Sequence, residues 1–166
     1  MEILDIVNSQ DQVIGQKYRS EVYKEQLSNF RVVNAFLINS QKEVWIPRRS
    51  GNKKLFPLCL DTSVGGHVSA GETYEEAFKR ELLEELTIDS SQIDYTMIAK
   101  LTPHEHNLSA FMHLYSIKTD KSPDYNTDDF ISAAWYKISE LEKIIQNGEK
   151  SKDDLPKLLT ILKKFL

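Results

Sequence analysis

Apolar residues recur along the chain with two different periods, and each period predicts one kind of element. Short apolar or alternating runs bounded by polar turns predict strands. Seven segments have this pattern: residues 2–7, 32–38, 44–49, 58–64, 93–101, 110–117 and 131–137. The polar stretch "NSQK" lies between the second and third of these segments and predicts that they pair as a hairpin.

Three further segments have a helical period: residues 73–86, 139–146 and 153–165. In the last of them, leucines and Phe165 form one apolar stripe. This stripe would serve either the core or a second copy of the chain, so a homodimer is one expectation. Strands on both sides of a central helix, followed by terminal helices, predict the α/β class, with a mixed β-sheet in an α/β/α sandwich.

The central helix carries acidic residues on the side that should face the core. Thr73 with Glu76 three residues later forms a capping box, which predicts a helix start at Thr73. At about 100° per residue, one side of the helix is apolar and should pack inward. That side contains Tyr74, Ala77, Phe78 and Leu82. Glu81 and Glu85 fall in the middle of the same side, and Glu84 falls at its edge.

Two interpretations account for these carboxylates, because an unpaired buried carboxylate takes up a proton rather than stay charged. In the first, the helix is rotated so that the acids face water and pair with Lys79 and Arg80, as is usual for a charged helix face. In the second, divalent cations lie between the carboxylates, since magnesium and manganese prefer oxygen ligands. The helix by itself favours the first interpretation.

Composition and charge exclude several classes of function. The 166 residues are 40% hydrophobic and carry a net charge of -4. This length and composition predict one domain over residues 1–166. We expect a strand or hairpin extension over about residues 1–30. The mild acidity argues against general nucleic-acid binding, because phosphate backbones require a basic face. No signal peptide is visible, and no apolar run approaches the ~20 residues of a membrane span. The single Cys59 suits a reducing compartment, so we expect a cytoplasmic protein.

The residues before the helix change the balance between the two interpretations. The adjacent glycines Gly65 and Gly66 permit close backbone approach, and Glu72 lies just ahead of the helix. The run from Gly66 to Ile88 resembles the Nudix box, the signature of the Nudix hydrolases. That box reads Gly, five residues, Glu, seven residues, then Arg-Glu-U-x-Glu-Glu-x-Gly-U, where U is a bulky aliphatic residue.

Thr87 is the one departure from this pattern, because the family has Gly at that position. Gly after a helix commonly adopts a left-handed conformation that a β-branched residue resists. We therefore expect Thr87 either to accept ~1 kcal/mol of strain or to end the helix differently. Thr87 matches no metal ligand of the family, so the expected change is local and leaves the chemistry intact.

The Nudix resemblance implies a site for Mg²⁺ or Mn²⁺ and a hydrolytic reaction at a diphosphate. Glu84 and Glu85 would be the principal metal ligands, and the Gly65 carbonyl would complete the site. Glu81 would be a further ligand or the base that orients water; the loop residue Asp129 is another candidate for the base. The acids would then face a metal site at the edge of the sheet.

Other residues of the box would position this site. By the resemblance, Arg80 belongs to the catalytic group and holds Glu72 and the helix in register through a charged hydrogen bond. Glu72 and Gly66 would support the site without acting in the reaction.

A second resemblance covers about two-thirds of the chain. The stretches "RRSGNKKLFP" and "SVGGHV" are similar to those of isopentenyl diphosphate isomerase, itself a Nudix-fold enzyme with Ser-Val-Cys-Gly-His at this place. The resemblance implies that Arg49 and Lys53 contact a diphosphate. His67 matches a metal ligand of the isomerase, but the other histidines of that site are missing, so we expect His67 to contact substrate or to support the site. The catalytic cysteine of the isomerase falls at Gly65, however, and the isomerase box is degraded at the position of Glu81. A complete box without that cysteine favours hydrolysis.

We therefore expect a hydrolase whose partner is a small-molecule diphosphate, either a nucleoside diphosphate derivative or a related organic diphosphate. One alternative is an isopentenyl diphosphate isomerase-type enzyme, which would move a proton without releasing phosphate. Another is a non-catalytic diphosphate-binding Nudix domain, which usually has a broken box. His104 and His106 lie in a predicted loop and are expected to be structural or solvated.

Overall fold

The computed structural model describes residues 1–166, which form eight strands and five helices. The strands are β1 (Ile3–Val7), β2 (Val13–Tyr18), β3 (Arg31–Ile38), β4 (Glu43–Arg49), β5 (Val64–His67), β6 (Asp94–Leu101), β7 (Phe111–Lys118) and β8 (Phe130–Lys137). The helices are α1 (Arg19–Lys24), α2 (Tyr74–Leu86), α3 (Pro103–His106), α4 (Ile138–Gln146) and α5 (Leu155–Leu162). No helix is long and apolar enough to span a membrane.

The main sheet is mixed and opens at one place. Its strands lie in the order β6-β7-β3-β4-β8, with β5 paired to β3 outside this path. β3 and β7 are parallel, and the neighbouring pairs are antiparallel. β3 meets β4 only near the hairpin turn, where Ile38 pairs with Val44. Further along, Asn34 pairs with Gly65 of β5 instead. The sheet therefore splits between β3 and β4, and β5 lies in the split.

Two apolar layers cover the two faces of this sheet. Alternate residues of β3 point to opposite faces, so Val33 and Leu37 join one cluster while Phe36 joins the other. Helix α2 packs on the first face through Phe78 and Leu82. Helices α4 and α5 cover the second face with a set that includes Leu141, Leu155, Leu158, Leu159 and Leu162. The predicted α/β/α sandwich with a mixed sheet is confirmed.

The amino-terminal residues form a smaller unit beside the sheet. β1 and β2 pair as an antiparallel hairpin, and α1 follows directly. A third cluster joins this unit to the sheet through Leu4, Ile6, Val22, Phe30 and Ala110. β2 is exposed along most of its length, which explains why no apolar period marks it in the sequence.

Several element predictions differ from the structure. The predicted strand over residues 58–64 is wrong except at its last residue, because β5 begins only at Val64. Leu58 has a φ of 61°, and Leu60 forms only isolated bridges to Arg48 and Ser151. The predicted loop around His104 contains the short helix α3. The apolar stripe of the last helix enters the core, as one of its two interpretations required, except that Phe165 is 53% exposed.

Candidate active site

Helix α2 is capped at both ends by the residues that the sequence indicates. Thr73 accepts a hydrogen bond from the backbone N–H of Glu76, and the Glu76 side chain accepts one from the N–H of Thr73, which completes the capping box. At the other end Thr87 adopts the left-handed conformation, with φ 58° and ψ 32°, and its N–H donates to the Leu83 carbonyl at 3.0 Å. Thr87 therefore accepts the strained left-handed backbone conformation, which was the first of the two expected outcomes.

Glu85 lies in the split of the sheet and has one hydrogen-bond donor. The Gly65 N–H of β5 donates to Glu85 Oε1 at 3.0 Å. Burial raises the pKa of Glu85 well above its ordinary value, and the nearby charges of Glu81, Asp61 and Asp129 act in the same direction. Arg80 pairs with Glu72, Glu81 and Glu84, but Glu85 takes part in no ion pair. No cationic nitrogen therefore lies within 4 Å of the Glu85 carboxylate.

Glu81 lies one turn earlier and is pressed against the backbone of β5. A Cβ placed on Gly66 would come within 2.2 Å of Glu81 Cδ, so any side chain at this position would displace the carboxylate. The Glu81 side chain is 15% exposed. Burial raises its pKa to about 7, although the hydrogen bond from Arg80 acts in the opposite direction.

Arg80 joins the helix to the segment that precedes it. Its Nε and Nη2 donate to the two carboxylate oxygens of Glu72, each at 2.8 Å, while Nη1 donates to Glu81 Oε1 at 2.7 Å. Nη2 also donates to the His67 carbonyl at 3.0 Å. Arg80 holds the pKa of Glu72 below its ordinary value. One guanidinium therefore fixes Glu72, the helix and β5 relative to one another.

Glu84 is placed differently from its two neighbours. Its side chain is 57% exposed, and its nearest cationic partner is Arg80 Nη1 at 3.5 Å. Lys79 pairs with Glu75 rather than with the three acids. Glu84 therefore faces water, as in the first interpretation, whereas Glu81 and Glu85 face inward, as the second requires. Arg80 also pairs with Glu81, at 2.7 Å.

The residues present fit a divalent cation. Glu81, Glu84 and Glu85 offer only carboxylate oxygens, the donors that magnesium and manganese prefer, and Glu85 is a buried acid without a cationic partner. No three acidic, histidine or cysteine side chains converge on one point in the structure. Two surface cavities of about 420 and 400 Å³ lie beside the β1–β2 turn, and none of these carboxylates lines them. Glu85 instead lies at the split between β3 and β4, beside Gly65.

Two basic residues, one at the end of β4 and one in the segment that follows it, pair with acids near Glu85. Arg49 Nη1 pairs with Asp61 Oδ2 at 2.9 Å, and Lys53 Nζ pairs with Asp129 Oδ1 at 2.6 Å. Both of these acids lie close enough to Glu85 to act on its pKa. The predicted diphosphate contacts Arg49 and Lys53 and the loop acid Asp129 are therefore brought to the same region as the helix acids.

His67 lies on β5 and is held neutral by its surroundings. Tyr23 Oη is 2.7 Å from His67 Nε2, and the His67 ring stacks with Phe30 at a centroid distance of 5.7 Å. Burial lowers its pKa to about 3, and the positive charges of Arg19, Lys152 and Arg80 act in the same direction. Its ring faces an aromatic and basic environment rather than an acidic one.

Sequence reasoning missed several residues of this region. Asn34 Oδ1 would lie 2.7 Å and Thr62 Oγ1 3.3 Å from a Cβ on Gly65, so both crowd the glycine. Asp61 is 5% exposed and pairs with Arg49 and also with Lys152. The signal was the run "DTS" of polar residues inside a segment interpreted as an apolar strand.

Comparison with known proteins identifies the class to which this arrangement belongs. The family model of the NUDIX domain matches residues 28–158, and the chain belongs to the Nudix family. An uncharacterized Nudix hydrolase of Nostoc sp. is 54% identical over 159 residues, covering 96% of this chain and 94% of the relative. A Nudix hydrolase of Deinococcus radiodurans is 44% identical over 158 residues, covering 95% and 92%. The chain is therefore a hydrolase of the pyrophosphohydrolase class.

Solved structures and a more distant relative complete the comparison. The crystal structure of a Deinococcus radiodurans protein superposes with a TM-score of 0.91 at 44% identity, covering 96% of this chain and 98% of that one. A MutT protein of Methanosarcina mazei shares the fold, with a TM-score of 0.61 at 18% identity over 81% and 91% of the two chains. An isopentenyl-diphosphate Delta-isomerase of Photorhabdus laumondii is 26% identical over 157 residues, covering 90% and 88%.

Proposed function

We propose that the protein hydrolyses a diphosphate linkage in a nucleoside diphosphate derivative or a related organic diphosphate, with Mg²⁺ or Mn²⁺ as cofactor. The observation that carries this proposal is the Glu85 carboxylate, which is buried in the split of the sheet with one N–H donor and no cationic side chain. A buried acid in such a place is costly unless a cation accompanies it. Glu84, Glu85 and the Gly65 carbonyl would hold that cation, and Glu81 would be either a further ligand or the base.

The residues around this acid would prepare the reaction. A bound divalent ion neutralises the charge of a diphosphate and makes its phosphorus more open to attack. Glu81, whose pKa of about 7 suits proton exchange near neutral pH, would orient a water and take its proton. Arg80 would keep Glu81 in place through its hydrogen bond at 2.7 Å, and Glu72 would orient Arg80 by accepting two parallel hydrogen bonds. Asp129 remains the alternative base.

The two basic residues would bind the substrate. Arg49 and Lys53 supply two positive charges, and each is already oriented by an acid that lies near Glu85. Diphosphates are recognised by such clusters of guanidinium and ammonium groups. His67 would contact the substrate as a neutral ring rather than as a charge, since its pKa lies at about 3.

We propose that the chain shares its origin with the isomerase-like subgroup of the family but does not catalyse the isomerase reaction. The identity of 26% to an isopentenyl-diphosphate Delta-isomerase supports the common origin. A cysteine at position 65 would place its Cβ 2.7 Å from Asn34 Oδ1 and would require Asn34 to move, and Tyr23 Oη already contacts the Nε2 nitrogen of His67. These two contacts argue against the isomerase reaction, and the complete box argues against a domain that only binds diphosphates.

The test is a panel of nucleoside and prenyl diphosphates incubated with the protein and Mg²⁺, followed by product identification. We expect phosphate or pyrophosphate release, and a loss of at least about 100-fold in kcat for Glu85→Gln. Glu75→Gln, on an exposed face of the same helix, is the matched control and should retain activity. Isopentenyl diphosphate converted without phosphate release would instead support the isomerase alternative.

A second measurement separates the metal site from the reaction. Because burial raises the pKa of Glu85, its ionised form destabilises the folded state, and this penalty grows as the pH rises above the ordinary carboxyl value. Without metal at pH 8, Glu85→Gln should therefore unfold at a higher temperature than the parent. Added Mn²⁺ should raise the unfolding temperature of the parent more than that of the variant. Equal responses to Mn²⁺ would refute the assigned metal site.

A further inference from the structure

The segment between α4 and α5 returns to the split of the sheet and is fixed there by its backbone. The Leu60 N–H donates to the Lys150 carbonyl, and the Lys152 N–H donates to the Leu60 carbonyl, both at 2.9 Å. Glu149 pairs with Arg48 Nη2 of β4 at 2.6 Å. This segment therefore holds the Lys152 side chain beside the residue that follows Leu60 in the chain, Asp61.

Asp61 is shared by two cations that approach it from different parts of the chain. One of its carboxylate oxygens pairs with Arg49 at 2.9 Å, and the other lies 3.7 Å from Lys152 Nζ. The Asp61 side chain is 7% exposed, whereas that of Lys152 is 31% exposed. One carboxylate facing two cations leaves one positive charge in excess at this place.

Arg49 and Lys152 differ in how many of their hydrogen-bond donors are used within the protein. Arg49 donates from Nε to the Leu55 carbonyl at 3.1 Å and from Nη1 to Asp61. The carboxylate oxygen nearest to Lys152 is too far away for a hydrogen bond. Its ammonium is thus partly buried and oriented while its donors remain available. This is the state in which a fixed lysine can accept an anion at little further cost in side-chain entropy.

A chain of short contacts connects Lys152 to the helix acids. Asp61 Oδ1 is 3.3 Å from Thr62 Oγ1, and that hydroxyl crowds Gly65, whose N–H holds Glu85. In the other direction, the charge of Lys152 acts on the ring of His67. Lys152 is therefore linked through Asp61 and Thr62 to the strand that holds Glu85, although it lies 67 residues beyond Glu85 in the sequence.

We propose that Lys152 is a substrate-binding residue whose ammonium, beside the Arg49 guanidinium, binds a phosphate group of the diphosphate, with Asp61 as the residue that positions both cations. The inference rests on the proposed function, because it identifies a further contact with the same diphosphate. It assigns a role in the site to the segment between α4 and α5, which lies outside the box. The excess positive charge at Asp61 matches the negative charge that a phosphate group brings.

The experiment compares steady-state kinetics of Lys152→Met, Lys152→Arg and the control Lys150→Met. Lys150 is exposed and contributes to this region only through its carbonyl, so its substitution removes the same charge two residues away. For Lys152→Met we expect KM for the diphosphate to rise about 10- to 100-fold, the range for a hydrogen bond to a charged group. Its kcat should change by less than about threefold, while Lys152→Arg and Lys150→Met stay close to the parent.

Thermal unfolding and direct binding complete the test. Arg49 still pairs with Asp61 in Lys152→Met, so the unfolding temperature should match that of Lys150→Met. A KM for Lys152→Met equal to that of Lys150→Met, or a fall in kcat at unchanged KM, would overturn the inference. Calorimetric titration of the parent and Lys152→Met with pyrophosphate separates the two proposals. A parent that binds pyrophosphate more tightly than the variant but cleaves no diphosphate refutes the proposed function alone.

Discussion

Substitution of Gly66 by alanine tests how the site keeps Glu81 in place. An added Cβ would lie 2.2 Å from Glu81 Cδ and 2.3 Å from Glu81 Oε1. Non-bonded heavy atoms prefer separations of about 3.5 Å, so the carboxylate must move by at least about 1 Å. That movement would break its 2.7 Å hydrogen bond with Arg80.

The expected effect falls mainly on activity rather than on stability. A displacement of about 1 Å in a reacting group can cost on the order of 100-fold in rate, so we expect kcat/KM of Gly66→Ala to fall by about that factor. The group that must move is the end of a flexible side chain, so the loss of folding free energy should stay near the lower end of the ~1–3 kcal/mol seen for overpacking. Kinetics with a diphosphate substrate and Mg²⁺, together with urea unfolding, measure the two effects.

Gly15→Ala is the matched control, since no atom lies within 4 Å of a Cβ at that position. It should change neither kcat/KM nor stability appreciably. If Gly66→Ala retained kcat/KM within about threefold of Gly15→Ala, the contact between β5 and Glu81 would not position a group that the reaction needs. The role of Glu81 as ligand or base would then have to be abandoned.

Two further predictions concern stability. Thr87→Gly removes the strain of a β-branched residue at φ 58° and should stabilise the protein by about 1 kcal/mol, raising the unfolding temperature by about 2–4 °C; an unchanged or lower value in differential scanning calorimetry would contradict this. Burial lowers the pKa of His113, stacked on Tyr74, to about 4. Between about pH 6.5 and pH 4 the unfolded chain binds a proton at His113 that the folded chain does not bind. The free energy of unfolding therefore decreases as the pH falls from about 6.5 towards 4. His113→Phe keeps the stack and should lose about 1 kcal/mol less than the parent between pH 8 and pH 5, after allowance for solvent screening of the partly exposed ring; equal losses in urea unfolding would disprove the linkage.

The sequence by itself determined the elements and residues whose signals are local. The predicted helix over residues 73–86 matches α2, which has Thr73 as its N-cap and ends at Leu86. Such ends can be predicted because caps depend on hydrogen bonds between residues a few positions apart. The pairing of β3 with β4 follows from two apolar runs joined by a short polar turn. The 3.6-residue period placed Glu81 and Glu85 on the apolar side of the helix, and the resemblance of the surrounding residues to the box then favoured their inward direction. The spacing of the box then supplies the family.

Only the tertiary structure decided which residues from distant segments share the site. Asp61 meets Lys152 91 residues later in the chain, and Tyr23 meets His67 44 residues later; no local period reports such contacts. Residues 58–64 carry the composition of a strand, yet Leu60 bonds to the segment of Lys150 and Lys152 instead. The physical reason is that hydrogen bonds between distant segments depend on how the layers pack, and packing is a property of the whole chain rather than of any window within it.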